Sequence, residues 1–272
     1  MNDDKIHRLD TIAGDIRNDI IHMTYRAGKN GAHIGGGLSM VEILTVLYFD
    51  TINIDFKNPE KEDRDVFILS KGHGAIALYA TLKQVGFLSQ ADINNFKGKD
   101  SPFWTHPLKN PKYGIEISSG SLGQGLSYAA GLALAFKMKG KKSRIYVYLG
   151  DGECDEGAVW EAASFASHHK LDNLTVIIDE NKIQLDDRTE NIVNKDRLSE
   201  RWNAFGFSTV SADGHNIADL SNKLKTRAIE KPVAVIARTV KGKGVSFIEN
   251  RPEWHLNVLT EEQYKTALKE QE

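Results

Sequence analysis

Residues 144–186 constrain the fold more than any other part of this chain. Ile145 to Leu149 (I-Y-V-Y-L) is a short apolar run of β-branched and aromatic residues, which reads as a buried strand. Gly150-Asp151-Gly152 breaks it sharply. Asp155 to His169 is helix-like, with acidic residues early and Lys170 just past its end, where the helix dipole favours each charge. Asn173 to Asp179 is a second buried strand, and Glu180-Asn181-Lys182 turns the chain into a loop. Strand, helix and strand make a βαβ unit whose two strands are parallel neighbours.

This unit places Asp151 and Asn181, 30 residues apart, just past the carboxyl ends of adjacent strands. Open α/β sheets bind ligands there. A carboxylate and an amide oxygen suit a hard cation such as Mg²⁺, which keeps positions free for diphosphate oxygens. Gly152 lets the backbone come close to those oxygens, and the helix N-terminus that follows favours anions. A lone G-D-G reads equally as an ordinary turn. The strand before it and Asn181 after the second strand make the combination specific.

The remaining sequence extends the same alternation. Residues 4–28 carry apolar positions at helical spacing (Ile6, Leu9, Ile12, Ile16, Ile20, Met23). A glycine-rich break around His33 follows, and Ser39 with Glu42 forms a capping box for a helix to about Phe49. Asp65–Leu69 is a short strand, Ser70–Gly74 its terminal loop, and 75–85 a helix. A short helix lies within 87–100, and three prolines make 101–113 a loop. Residues 114–117 are strand-like and lead through a glycine-rich turn (120–125) into a helix to about Lys139. Beyond the βαβ unit come a polar loop (189–195), a helix (196–205), a strand (207–210), a helix (217–229), a strand (232–237), a long loop (238–257) and a last helix (260–270). The expected class is therefore α/β, a mainly parallel sheet with helices on both faces, in one domain over residues 1–272.

With 272 residues the chain can bury a substantial core. A net charge of −2 gives no reason to expect nucleic acid or an anionic membrane surface. Cys154 is the only cysteine, which excludes a disulfide framework and suits a reducing cytosol. The start, M-N-D-D-K-I-H-R-L-D, is unlike a signal peptide, and no stretch has the apolar length of a membrane span.

Four of the nine histidines, His33, His73, His106 and His255, fall in expected loops beside glycine, proline or a strand end. The other five sit in or near expected helices and read as surface or packing residues. A histidine in such a loop suits proton transfer.

The text GDG…EG…E…HKL-NL…D-N-I resembles transketolases, a family that uses thiamine diphosphate. The resemblance runs from about residue 4 to 258 and covers the diphosphate-binding half of such an enzyme. It implies Mg²⁺ (or Ca²⁺ or Mn²⁺) held by the Asp151 carboxylate, the Asn181 side chain and the Ile183 carbonyl. Glu180 stands where the motif often has Asn or Asp. Gly150 and Gly152 would lie on the diphosphate. Gly120 and Leu122 match G-P-L-G-Q-G, with Ser121 in place of proline; there the glycine carbonyl takes the thiamine amino group and the leucine lines the ring pocket. His33 (N-G-A-H-I-G, with Ile34 replacing proline), His73 (S-K-G-H-G), His106 (T-H-P) and His255 (P-E-W-H) match histidines that contact cofactor phosphates or substrate hydroxyls. Glu156 and Glu161 match acidic residues at the family's subunit interface; the charge of Glu161 equally suits a helix start, and for Glu156 the interface is the favoured reading.

The resemblance implies the N-terminal subunit of a split, cytoplasmic transketolase acting on sugar phosphates. Its partner would be a C-terminal subunit with the pyrimidine-binding domain, in an α2β2 assembly, and would supply the glutamate that activates the ring. Rival readings are a transketolase-like enzyme for a specialised or sulfonated sugar, and a non-catalytic cofactor-binding scaffold. A generic nucleotide-binding protein is disfavoured because no G-x-G-x-x-G or P-loop stands in the right place.

Overall fold

The structure, a computed structural model, describes residues 1–185, 187–193 and 197–272. Asp186, at the end of the 144–186 stretch, and residues 194–196, which join the expected 189–195 loop to the 196–205 helix, lie outside the described residues. The described strands are β1 (Val66–Leu69), β2 (Ile145–Gly150), β3 (Leu174–Glu180), β4 (Ile183–Gln184), β5 (Asp187–Arg188), β6 (Ser208–Asp213) and β7 (Val233–Arg238). Five of them form one sheet in the order β1-β2-β3-β7-β6, every pair parallel. β4 and β5 form a small antiparallel pair in the loop after β3.

The helices are α1 (Asp3–Arg26), α2 (Ile34–Leu38), α3 (Val41–Val46), α4 (Ala75–Val85), α5 (Gln90–Asn94), α6 (Gln124–Met138), α7 (Gly157–His168), α8 (Thr189–Ile192), α9 (Leu198–Ala204), α10 (Ile217–Lys223) and α11 (Glu261–Lys269). Alternate strand residues feed two cores. Ile145, Val147 and Leu149 join Val176, Ile178 and Ile236 beneath α6, α7 and α9. Tyr146 and Tyr148 join Leu69, Ile177 and Val235 beneath the layer that contains α1, α3, α4 and α10. A strand covered on both faces has no polar side, so its sequence reads as an unbroken apolar run. Each such side chain, fully buried, contributes about 1.5–3 kcal/mol.

Register sets the site. Gly150 pairs with Asp179, and the Asp151 N–H donates to the Asp179 carbonyl at 3.1 Å. Asp151 and Asn181 therefore leave neighbouring strands at the same edge of the sheet. Among the described residues no helix is long and apolar enough to cross a membrane.

Several local expectations are corrected. Ser39 and Glu42 form no capping box: the Ser39 hydroxyl donates to Asp179 Oδ2 at 2.7 Å, and Glu42 pairs with Arg17 and with His215. Buried long-range partners outcompete the local cap. The Gly35-Gly36-Gly37 run is helical, not a loop. A β-carbon on Gly35 would lie 2.8 Å from the Trp254 carbonyl oxygen, and one on Gly37 2.7 Å from Ile76, so these glycines permit close packing. Residues 114–117 form no strand, only one bridge between Asn110 and Ile115. The helix expected to reach 229 ends at Lys223, where Arg227 donates to the Leu224 and Thr226 carbonyls. The helix expected from 155 is split: a 3₁₀ turn at Gly152–Asp155 precedes α7, and Glu156 caps the latter in extended conformation. Part of the expected 189–195 loop is the short helix α8.

Candidate active site

The four loop histidines converge. His33 precedes α2, His73 lies in the 3₁₀ turn after β1, His106 lies in the proline-rich loop, and His255 follows the 3₁₀ turn Pro252–Trp254. The His33 ring centroid is 5.6 Å from that of His73, 5.8 Å from His106 and 5.1 Å from His255, and His73 and His255 are 5.2 Å apart. Backbone contacts hold this arrangement. Ala32 and Asn257 exchange N–H···O bonds of 2.9 and 3.1 Å, tying the His33 segment to the His255 loop. Gly72 presses against the Ser119–Gly120 peptide, where a β-carbon would come within 2.7 Å of the Ser119 carbonyl carbon.

These rings line a cavity of about 330 Å³ that also contains Gly120, Leu122, Gly150, Asp151, Gly152, Glu156, Asn181 and Ile183. All twelve of these sequence-predicted residues thus share one cavity. Glu161 does not line it; it is exposed on α7. A separate charged cleft of about 520 Å³, with Arg188, Arg197 and Arg238, adjoins Asp151 and contains no histidine.

Burial, then the charges of His106 and nearby lysines, lowers the His33 pKa to about 4. His255 falls to about 3, through burial and then Lys241. His73 is pushed well below its ordinary value by burial and Lys71, and His106 is lowered by burial and Lys97. The cluster is therefore neutral near pH 7, and its rings offer lone pairs rather than positive charge. The buried His33 Nδ1 has no hydrogen-bond partner among the described residues.

In the same cavity, Asp151 is almost fully buried. It accepts from Gly152 N at 2.8 Å and Lys182 N at 2.7 Å. Burial, and then the Asp179 charge, raises its pKa to about 7. A carboxylate this poorly compensated fits a bound divalent cation, which would favour its ionised form. Asn181 and Ile183 line the same cavity, and an amide or carbonyl oxygen is the kind of donor a hard cation takes. Asn181 Oδ1 also accepts from Ile183 N at 3.1 Å, so its position is fixed.

Sequence reasoning misses Lys241, Lys71 and Glu153, all in the same cavity. Lys241 Nζ donates to the Ile183 carbonyl at 3.3 Å and lies 3.2 Å from His255 Nδ1, and burial lowers its pKa to about 8. Glu153 accepts from Ser70 Oγ at 2.5 Å, Gly123 N at 2.8 Å and Gly150 N at 3.2 Å. It clips together the three turns that carry His73, Leu122 and Asp151. The one signal in the sequence is position: Lys71, Glu153 and Lys241 each lie within three residues of a strand's carboxyl end.

Residues 16–271 match the family described as transketolase, thiamine diphosphate binding domain. An apulose-4-phosphate transketolase subunit from Actinobacillus succinogenes is 42% identical over 96% of this chain and 95% of its own length. A 6-deoxy-6-sulfo-D-fructose transketolase subunit of Clostridium sp. is 42% identical, over 90% of each. Human transketolase is 38% identical over 92% of this chain, which spans 40% of that enzyme. The crystal structure of Campylobacter jejuni transketolase superposes with a TM-score of 0.89 at 32% identity, covering all of this chain and 43% of that one. The chain therefore belongs to the transketolase family, and residues 16–271 match its thiamine diphosphate-binding domain.

Proposed function

We propose that this chain is the cofactor-holding subunit of a two-chain transketolase, with residues 1–272 as one thiamine diphosphate-binding domain. The observation that carries this reading is a single cavity that gathers four histidines of lowered pKa together with Asp151, Asn181 and Ile183.

Asp151, the Asn181 side chain and the Ile183 carbonyl would hold Mg²⁺, or Ca²⁺ or Mn²⁺ by the same oxygen chemistry. Gly150 and Gly152 would admit the diphosphate. Lys241, beside the Ile183 carbonyl, would neutralise part of its charge. The Gly120 carbonyl and Leu122 would meet the thiamine rings. Thiamine diphosphate, when bound, supplies the chemistry that carries a two-carbon ketol unit from a ketose phosphate to an aldose. His33, His73, His106 and His255 would accept hydrogen bonds and protons from the sugar hydroxyls, which only neutral imidazoles can do. A non-catalytic scaffold would have no use for such a cluster.

Relatives that this chain matches over at least 90% of their length are named as transketolase subunits. This supports a partner subunit. In the proposed reading that partner carries the pyrimidine-binding domain, in an α2β2 assembly, and the exposed Glu156 at the cavity edge faces it. A specialised sugar is the second reading, because two relatives are named for apulose-4-phosphate and one for a sulfonated fructose. The buried, single Cys154 agrees with a cytoplasmic setting.

The test is turnover of ketose and aldose phosphates, branched and sulfonated sugars included, with Mg²⁺ and thiamine diphosphate. We expect activity only when a pyrimidine-domain chain is added. Robust turnover by the purified chain alone would refute the two-chain reading.

A further inference from the structure

Beneath the histidines lies an ion pair whose two side chains are almost wholly inaccessible, 1% exposed for Lys71 and 0% for Asp179. Lys71 Nζ donates to Asp179 Oδ2 at 2.6 Å and to the Gly36 carbonyl at 3.2 Å. Asp179 also accepts from Ser39 Oγ at 2.7 Å and from Thr239 Oγ1. The pair therefore touches the helix after His33, the turn before His73 and the loop that leads to Lys241. Gly36 shows how near the two groups are: a β-carbon there would be in ordinary van der Waals contact with both the His73 ring, at 3.4 Å, and Lys71 Nζ, at 3.8 Å.

Burying two charges costs several kcal/mol per ion, and well-packed apolar residues often serve stability as well or better. Stability alone therefore gives little reason for this pair. We propose that Lys71 and Asp179 are positioning residues of the histidine pocket: Asp179 fixes the Lys71 ammonium beside His73, as a positive charge against that ring. This proposal deepens the transketolase reading above and takes from it the need for neutral imidazoles.

The charges facing these rings come from separate elements. His33 faces His106, Lys97, Lys241 and Lys71; His73 faces Lys71, His255, His33 and Lys241. Lys71 acts on both, and it is the foremost charge acting on His73. It cannot swing away, because Asp179 and the Gly36 carbonyl hold its ammonium.

The experiment follows the His33 and His73 rings by NMR in the full chain labelled with ¹³C-histidine, with His33→Gln and His73→Gln to assign the signals. Wild-type His33 should titrate near pH 4. In Lys71→Met the His73 midpoint should rise by about half a pH unit or more, because a nearby positive charge has been removed, and that of His33, on which Lys71 is the weakest of four charges, by less. If Lys71→Met fails to fold, Lys71→Gln replaces it, since the amide can still donate to Asp179 while the charge is gone. An unchanged His73 midpoint in a folded variant would overturn the proposal. A merely structural pair would change the melting temperature and leave the midpoints alone. The titration needs neither cofactor nor partner, so failure of the transketolase reading would show in the turnover assay and not here.

Discussion

Lys241 Nζ lies 3.2 Å from Nδ1 of His255, across a loop whose two ends both return to the cavity. The ammonium can only donate, so His255 Nδ1 is the acceptor and its proton sits on Nε2. The same ammonium reaches the Ile183 carbonyl. One side chain thus joins the Ile183 carbonyl to His255. Replacing Lys241 with Met should weaken thiamine diphosphate binding by about 10- to 100-fold, the range for losing a hydrogen bond to a charged group. It should also raise the His255 pKa, since Lys241 is the foremost charge holding it down. Calorimetry of cofactor binding and a histidine titration check both. An unchanged affinity would remove Lys241 from the diphosphate site.

Asp151 and Asn181 should differ in weight. Asp151→Ala removes the only carboxylate among the proposed cation ligands, and cofactor binding should fall below detection. Asn181→Ala removes a neutral ligand and should cost less, on the order of the 10–100-fold seen for supporting groups. Losing Asp151 also leaves Gly152 N and Lys182 N without their acceptor, so melting curves must accompany the titrations. Wild-type affinity in folded Asp151→Ala would sink the assignment.

Acid should destabilise the chain through the histidines. The folded-state pKa values of His33 and His255, about 4 and about 3, lie below the ordinary 6.5. Between those values the unfolded chain binds more protons, so their contribution is intact above pH 6.5 and is lost as pH falls. Asp151 works in the opposite direction. Its folded pKa of about 7 exceeds the ordinary 3.8, so its contribution falls as pH rises through that interval. We expect the melting temperature to drop between pH 7 and pH 5 in wild type, less steeply in His33→Gln and more steeply in Asp151→Ala. Identical slopes in all three proteins would show that these groups do not govern acid stability.

The legible parts of this chain are those governed by local pattern. The I-Y-V-Y-L run forms β2 because both its faces are covered, and the G-D-G break is the strand end. Histidines beside glycine and proline are conspicuous because loops at a sheet's carboxyl edge carry ligands. Ser39 misleads because its spacing to Glu42 fits a cap, while its partner Asp179 lies 140 residues away. Lys71 and Lys241 escape notice for a related reason. A lysine between serine and glycine resembles surface, and only the folded chain shows that Asp179 holds the first, while the second reaches the Ile183 carbonyl and His255.

A last expectation concerns the joint between β1 and α6. Ser70 Oγ donates to Glu153 and accepts from Gly125 N at 3.1 Å. This buried link ties the turn before His73 to the turn that carries Gly120 and Leu122. Gly125 has no space for a methyl group: a β-carbon would lie 2.5 Å from Ser70 Cβ and 2.8 Å from Ser70 Cα. Alanine is otherwise the better helix former, by about 1 kcal/mol, so helix propensity alone makes Gly125→Ala stabilising. Overpacking costs about 1–3 kcal/mol, and here the crowded atoms include backbone. We expect Gly125→Ala to lower the melting temperature and weaken cofactor binding together. Ser70→Ala in the same chain should not rescue either, because it removes the hydroxyl and leaves Cβ and Cα in place. Full rescue by Ser70→Ala would show that the hydroxyl contact, and not the approach of the two backbones, fixes this joint.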